Sequence, residues 1–231
     1  GVMETVNQRT QLVGANRLEL LLFRMEGPQV YGINVFKVKE VLPDVSGMTM
    51  DYVIDFATYA IIPAFIIYEA TKGGIPVEDG GVYMLPENLR MWSAAIILLV
   101  SALYYGKEGM VSRDMYFIGF PVLWNLVAFY LYYVTNLSPM GNFIMVVVFA
   151  ILHFVPIKYL YPSRTKKFMK LNILNTVVFL VSNFALLVLI EWKYDLPTAL
   201  VAARIGSVVS LLYFGALSVY HTWFDPDTKD I

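Results

Sequence analysis

Long runs of apolar side chains, separated by short polar segments, constrain this chain more than any other feature. Of its 231 residues, 58% are hydrophobic and 15% are charged, whereas an ordinary soluble domain is about 45–50% apolar. The apolar blocks are about as long as the ~20 residues that a helix needs to cross a bilayer. The sequence therefore predicts an integral membrane protein.

We expect an all-α polytopic fold with about six transmembrane helices. Backbone N–H and C=O groups in lipid must find partners within their own segment, and the runs are continuous rather than alternating, so helices are favoured over barrel strands. The predicted spans are residues 50–70, 89–106, 115–135, 138–162, 167–191 and 197–224.

Basic residues are distributed unequally between the predicted loops, which indicates an orientation. If the N-terminal end of the first span faces the cytoplasm, ten lysines and arginines fall on that side and three fall outside. The ten are Lys37, Lys39, Lys107, Arg113, Lys158, Arg164, Lys166, Lys167, Lys170 and Lys229, and the three are Lys72, Arg90 and Lys193.

Several function classes are disfavoured by composition. A net charge of −1 gives no reason to expect a nucleic-acid partner, and the absence of cysteine excludes disulfides and thiolate metal sites. The two histidines, His153 and His221, are far apart in the chain, which argues against a histidine-rich metal site.

Residues 1–42 differ in character from the rest and predict a separate, soluble segment. Residues 1–17 are polar and contain no apolar core of a signal peptide. Residues 18–24 and 30–35 are typical of short strands, and Gly27-Pro28 between them predicts a turn. Such a β-hairpin is marginal without further packing. We therefore divide the chain into residues 1–42 and a membrane domain at 43–231.

Gly47, Asp51 and Asp55 are the strongest candidates for chemistry. Residues at i, i+4 and i+8 share a helix face, and charges at the edge of a bilayer are costly enough that they usually have a use. Two carboxylates one turn apart can share Mg²⁺ or Mn²⁺. The alternative is that both are simply solvated at a helix N-terminus, where the dipole favours them.

The spacing G-x-x-x-D-x-x-x-D at residues 47–55 resembles the second half of the CDP-alcohol phosphotransferase signature, D-x-x-D-G-x-x-A-R…G-x-x-x-D-x-x-x-D. The resemblance implies a divalent cation, Mg²⁺ or Mn²⁺, on the CDP diphosphate. It also implies that Asp51 is a metal ligand, that Asp55 is the catalytic base and a further ligand, and that Gly47 lines the nucleotide pocket.

Three further motifs narrow the resemblance to the bacterial phosphatidylcholine synthases, over about residues 38–231. They are F-x-G-F-P-x-x-W-N at 117–125, F-V-P-x-K at 154–158 and Y-P-x-R at 161–164. The family implies transfer of a phosphatidyl group from CDP-diacylglycerol to choline, with release of CMP. The family also implies a site on the cytoplasmic face of the bacterial inner membrane. A homodimer is compatible with this family assignment. The alternative for the first motif is helix packing with a kink.

Lys158 and Arg164 belong to the densest basic cluster of the chain, with Lys166, Lys167 and Lys170. One interpretation is that Lys158 and Arg164 bind substrate phosphates or anionic headgroups. The other is that the cluster only sets membrane orientation.

The first half of the signature is absent from the residues before Gly47. Residues 31–43 read Y-G-I-N-V-F-K-V-K-E-V-L-P, and the upstream acids lack the required spacing. Residues 6–23 and 31–41 instead resemble the start of a bacterial chemotaxis coupling or scaffold protein. We therefore expect a chimera with impaired transferase activity. The alternative is a non-enzymatic, membrane-anchored signalling adaptor.

Overall fold

The computed structural model describes residues 46–107, 111–112, 116–162, 165 and 167–225. The chain divides into two compact units, Gly1–Val53 and Ile54–Ile231. The predicted N-terminal hairpin and Arg164 lie outside the described residues. So does the segment 1–42, on which the adaptor hypothesis depends.

Helices account for most of the described chain. Helix α1 (Gly47–Phe56) continues through a π-helical turn (Ala57–Ile61) into α2 (Ile62–Glu69). Short 3-10 turns follow at Lys72–Gly74, Val77–Asp79 and Glu87–Leu89. The remaining elements are α3 (Arg90–Tyr105), β1 (Tyr116–Ile118), α4 (Trp124–Phe129) with a π turn (Tyr130–Val134), α5 (Pro139–Leu152), β2 (Lys158–Leu160), α6 (Met169–Glu191), and α7 (Pro197–Val219) with a π turn (Tyr220–Phe224).

Within the described residues, four helical stretches are long and apolar enough to cross a membrane. Their ends agree to within two residues with four of the predicted spans. The helical membrane fold is therefore confirmed. The stretches are Thr49–Glu69, Glu87–Tyr105, Met169–Glu191 and Pro197–Phe224.

The other two predicted spans, 115–135 and 138–162, are not continuous helices. Their helical parts are α4 with its π turn and α5, which has 14 residues. The residues before α4 and after α5 form the antiparallel strands β1 and β2, in which Tyr116 pairs with Leu160 and Ile118 with Lys158. Residues that were predicted to be helical thus form a small sheet.

Gly119 explains why the helix cannot extend back to residue 115. Its φ is +85°, and a Cβ there would lie 2.2 Å from the carbonyl oxygen of His153, so only glycine fits. Its N–H donates to the carbonyl of Ile157 at 2.9 Å. Pro121 then lacks the N–H that a helix interior requires. The F-x-G-F-P motif therefore makes a turn out of β1 rather than a kink inside a helix.

A buried core joins α2, α3, α4 and α5. Ile97, Trp124 and Val146 are fully buried in it, and the small side chains of Ala60 and Ala64 lie among them. Small residues let membrane helices approach closely. The Trp124 indole N–H is not left unpaired in this apolar environment, because it donates to Ser101 Oγ at 2.9 Å.

Helices α6 and α7 pack along a polar seam. The hydroxyl of Ser207 donates to Asn183 Oδ1 at 2.9 Å and lies 2.7 Å from the Tyr130 hydroxyl. Gly206 faces Ser182 so closely that a Cβ would come within 2.3 Å of its Oγ. Polar side chains can join helices in lipid, where unsatisfied groups are costly. The opposite faces of both helices expose large apolar side chains that suit hydrocarbon.

The spanning helices of the second unit have two distinct ends. At the sheet end, β1 and β2 meet the last turn of α7. At the loop end, residues 70–89 lead into α3, and Glu191 before the α6–α7 connection accepts a hydrogen bond from the Tyr133 hydroxyl at 2.7 Å. Arg90 organises the loop end: its guanidinium carbon lies 3.4 Å from the Tyr83 ring centroid and 4.3 Å from that of Tyr68. Its Nε donates to the carbonyl of Tyr68 at 2.7 Å, and Glu69 lies 3.5 Å away.

We expect Arg90→Lys to lower thermal stability. Lysine keeps the charge but loses the planar group that stacks on two rings while donating along a fixed direction. A loss of about 1–2 kcal/mol corresponds to roughly 2–8 °C in the melting temperature of a chain of this size. Thermal denaturation in detergent measures it. Arg204→Lys, at an exposed position of α7, is the control, and equal shifts for both variants would contradict the role given to Arg90.

Candidate active site

Helix α1 carries the three residues that the sequence singled out. The helix begins at Gly47, directly after Ser46, whose hydroxyl accepts a hydrogen bond from the Thr49 N–H at 3.2 Å. This is the preferred chemistry of a helix N-cap. Asp51 and Asp55 lie one and two turns farther along, and both are partly buried. The helical spacing places all three on one face, while their roles in binding and catalysis stay predictions.

A π-helical turn begins at Ala57, two residues after Asp55. The N–H of Ile62 donates to the carbonyl of Ala57, which is the wider i to i+5 pattern. Pro63 has no N–H, and its ring would clash with the Tyr59 carbonyl in a regular α-helix, so a wider turn before it is expected. Such π turns occur frequently at functional sites. Here it changes the direction of the side chains that follow the aspartates.

The two carboxylates on α1 are donors of the type that divalent cations prefer. Carboxylate oxygens are the preferred ligands of Mg²⁺, which is usually held by one or two carboxylates together with phosphates and water. Among the described residues, no group of three or more His, Cys, Asp or Glu side chains is placed to hold a metal ion. The sharing of a cation by Asp51 and Asp55 stays a prediction.

Aromatic rings adjoin the aspartate helix at the sheet end. The Phe56 ring meets the Tyr105 ring edge to face, with centroids 6.3 Å apart. Tyr105 contacts Tyr104 at 6.4 Å, and Tyr104 contacts His153 at 5.6 Å. His153 also stacks on Trp124 at 5.3 Å. These contacts connect the neighbour of Asp55 to the buried core, and they place His153 in packing at the end of α5.

Lys158 lies on β2 and its side chain is fully buried. Its backbone N–H donates to the Thr222 hydroxyl at 2.9 Å, which joins β2 to the last turn of α7. A buried ammonium needs compensating partners, so Lys158 is not an ordinary solvated loop residue, while phosphate binding and membrane orientation both stay predictions for it. Burial also raises the pKa of the neighbouring Tyr159, so that phenol stays neutral and brings no negative charge.

The sequence analysis missed a buried ionic cluster at the sheet end. Asp225 accepts from Lys167 Nζ at 2.7 Å through Oδ1 and lies 2.7 Å from His221 Nδ1 through Oδ2. The Tyr116 hydroxyl is 3.3 Å from the same ring nitrogen. The side chains of His221 and Asp225 are fully buried. The i, i+4 spacing of His221 and Asp225 at the end of the last predicted span was the sequence feature that could have indicated this cluster. The cluster ties α7 to β1 and to the segment that precedes α6.

Asp225→Asn should destabilise the protein, because it removes the negative charge between two basic side chains. Removing one partner of a buried pair costs about 3–5 kcal/mol, or roughly 10 °C for a chain of this size. Thermal denaturation in detergent measures the change. Asp195→Asn, at an exposed position between α6 and α7, serves as the matched control. An unchanged melting temperature for Asp225→Asn would show that the cluster contributes little.

No protein-family model matches the chain. Comparison with curated proteins does find relatives that are similar in sequence. The chain is 34% identical over 201 residues to the phosphatidylcholine synthase of Agrobacterium fabrum, covering 87% of this chain and 75% of that protein. It is 36% identical over 201 residues to the phosphatidylcholine synthase of Rhizobium meliloti, covering 86% and 74%. The match to the Pseudomonas aeruginosa phosphatidylcholine synthase is 40% over 165 residues, 71% of this chain and 63% of that protein. This last alignment spans just under two thirds of the relative's length.

Proposed function

We propose that this chain, which belongs to the family of bacterial phosphatidylcholine synthases, transfers a phosphatidyl group from CDP-diacylglycerol to choline and releases CMP. The observation that carries the proposal is the placement of Gly47, Asp51 and Asp55 along one helix, in a chain whose relatives bear that name. The spacing alone would be weak evidence, and the relatives give it a specific chemistry.

Asp55 is proposed as the general base. The hydroxyl of choline is a poor nucleophile at neutral pH and requires a proton acceptor within hydrogen-bond reach. In the proposed step Asp55 takes the hydroxyl proton. The choline oxygen bonds to the phosphorus of the phosphatidyl group, and the bond from that phosphorus to the bridging oxygen breaks. The bridging oxygen leaves with CMP.

Asp51 and Asp55 would hold the divalent cation, either Mg²⁺ or Mn²⁺. When bound, the cation neutralises charge on the diphosphate and on departing CMP. Gly47, one turn before Asp51, would line the nucleotide pocket, since a residue without a side chain permits close approach of a ligand. Lys158 and Arg164 are proposed to bind substrate phosphate.

The proposed site faces the cytoplasm from the bacterial inner membrane. The excess of lysine and arginine in the loops on the Asp51 side supports this orientation. The lipid tails of CDP-diacylglycerol would then reach the site from the surrounding leaflet, while choline would arrive from solution. Helices of spanning length support the membrane location on which the lipid route depends.

We propose further that turnover is slow. The residues before Gly47 lack the D-x-x-D-G-x-x-A-R half of the signature, and with it two carboxylates that the resemblance assigns to the cation. Fewer carboxylates should weaken binding of the cation and of the diphosphate that depends on it.

The first test is incorporation of labelled choline by full-length protein in vesicles that contain CDP-diacylglycerol and Mn²⁺. We expect measurable phosphatidylcholine, formed more slowly than by the Agrobacterium fabrum synthase under the same conditions. Asp55→Asn should lower the rate by at least about 100-fold, because a positioned base contributes about 10²–10⁴-fold. The control Asp195→Asn, at the loop end, should retain the rate.

Absence of phosphatidylcholine above the level of protein-free vesicles would contradict the transferase function. A rate equal to that of the Agrobacterium fabrum synthase would contradict the expected impairment. If Asp55→Asn abolished that high rate, the missing carboxylates would have to come from another source, such as a second subunit.

A second test concerns the cation. Asp51→Asn should raise the Mn²⁺ concentration needed for half-maximal choline incorporation by about tenfold or more, because one of two carboxylate ligands becomes a neutral amide. Chelation of divalent cations should abolish incorporation in both forms. A Mn²⁺ requirement that Asp51→Asn leaves unchanged would show that Asp51 is not a ligand.

A further inference from the structure

We propose that Phe56 and Tyr105 form the surface that binds the quaternary ammonium of the acceptor alcohol beside Asp55. The inference rests on the proposed function, because it places the acceptor at the base that would deprotonate it. It adds two residues to which neither the sequence motifs nor the family assignment gives a role.

Phe56 and Tyr105 are selected by geometry from a chain that is rich in aromatic residues. Phe56 follows Asp55 directly on α1, and its ring stands at 78° to that of Tyr105. Two rings at nearly a right angle form adjacent walls of a corner. Both side chains are only partly buried, so a small cation has access to them.

The neighbouring rings lack this access. Trp124 and His153 are 0% exposed, and Tyr104 is 3% exposed. The His153 ring contacts both Trp124 and Tyr104. Tyr104 in turn contacts Tyr105. The buried rings thus support Tyr105 from behind, and a surface that is already ordered loses less entropy when a ligand binds.

The chemistry of the corner matches a quaternary ammonium. That group has no N–H to donate and no lone pair, so it is recognised by the negative faces of aromatic rings and by nearby negative charge. Tyr105 is the last residue of α3, and the C-terminal end of a helix carries partial negative charge. Lys107, two residues on, is exposed, so water and salt screen its charge.

The backbone around the corner is consistent with a binding role. The π turn begins at Ala57, immediately after Phe56, and such turns are frequent at functional sites. Asp55 and Phe56 are consecutive on α1, so the carboxylate leaves the helix about 100° around from the ring. In the proposal the ammonium of choline lies against the rings and its two-carbon arm extends around the helix toward that carboxylate.

Equilibrium binding of radiolabelled choline to the full chain in lipid nanodiscs tests the proposal without requiring turnover. Phe56→Leu and Tyr105→Leu remove a ring but keep apolar volume, and each should weaken binding roughly five- to thirtyfold. Tyr105→Phe keeps the ring and should bind within about twofold of the unchanged chain. Tyr194→Leu, an exposed tyrosine at the loop end, is the matched control and should bind normally.

Competition adds a test that needs no variant. Tetramethylammonium has the ammonium but no hydroxyl and should displace choline, whereas ethanolamine, whose ammonium is not methylated, should compete at least about tenfold less well. The proposal is overturned if the unchanged chain binds no choline, if ethanolamine competes as well as tetramethylammonium, or if both leucine variants bind choline normally.

The two proposals fail in different ways. If choline binds with this pattern but vesicles with CDP-diacylglycerol and Mn²⁺ yield no phosphatidylcholine, the ammonium site stands and the transferase function falls. If phosphatidylcholine forms while Phe56→Leu and Tyr105→Leu leave the KM for choline unchanged, the function stands and the ammonium site falls.

Discussion

Hydrocarbon offers no hydrogen-bond partners, and this constraint governs where polar groups lie in the second unit. Backbone groups are satisfied within helices, and Asn183 and Ser207 join α6 to α7 inside the apolar region. Irregular backbone occurs at Gly119, where it is buried against other residues. The ion pairs described above lie at the two ends, at Arg90 and around Asp225, while Arg204 lies exposed within α7. The interior cannot host charge cheaply, so chemistry with a diphosphate has to occur at an end.

The sequence was sufficient for features that depend on local periodicity. Four spans could be located to within two residues because each is a continuous apolar run whose helical form lipid enforces. The shared face of Gly47, Asp51 and Asp55 follows from helical spacing alone. In each case a short stretch of chain contains all the information that its conformation requires.

Features that depend on contacts between distant residues could not be predicted in the same way. β1 pairs with β2 across about forty residues, and Gly119 is needed because the His153 carbonyl lies against it. Apolarity alone could not separate a strand from a helix in residues 116–118. Lys158 could be read as a loop lysine until the fold buried it. Phe56 and Tyr105 are only two of many aromatic residues until the fold brings their ring centroids to 6.3 Å from each other.

Asp51 and Asp55 are proposed to hold a cation that is bound to the diphosphate of a lipid substrate. The most direct measurement is an anomalous diffraction map of the full chain crystallised in lipid with Mn²⁺ and CDP-diacylglycerol. We expect a manganese peak within coordination distance of carboxylate oxygens from both aspartates and of the diphosphate. A substrate diphosphate bound elsewhere, or manganese that touches neither aspartate, would contradict it.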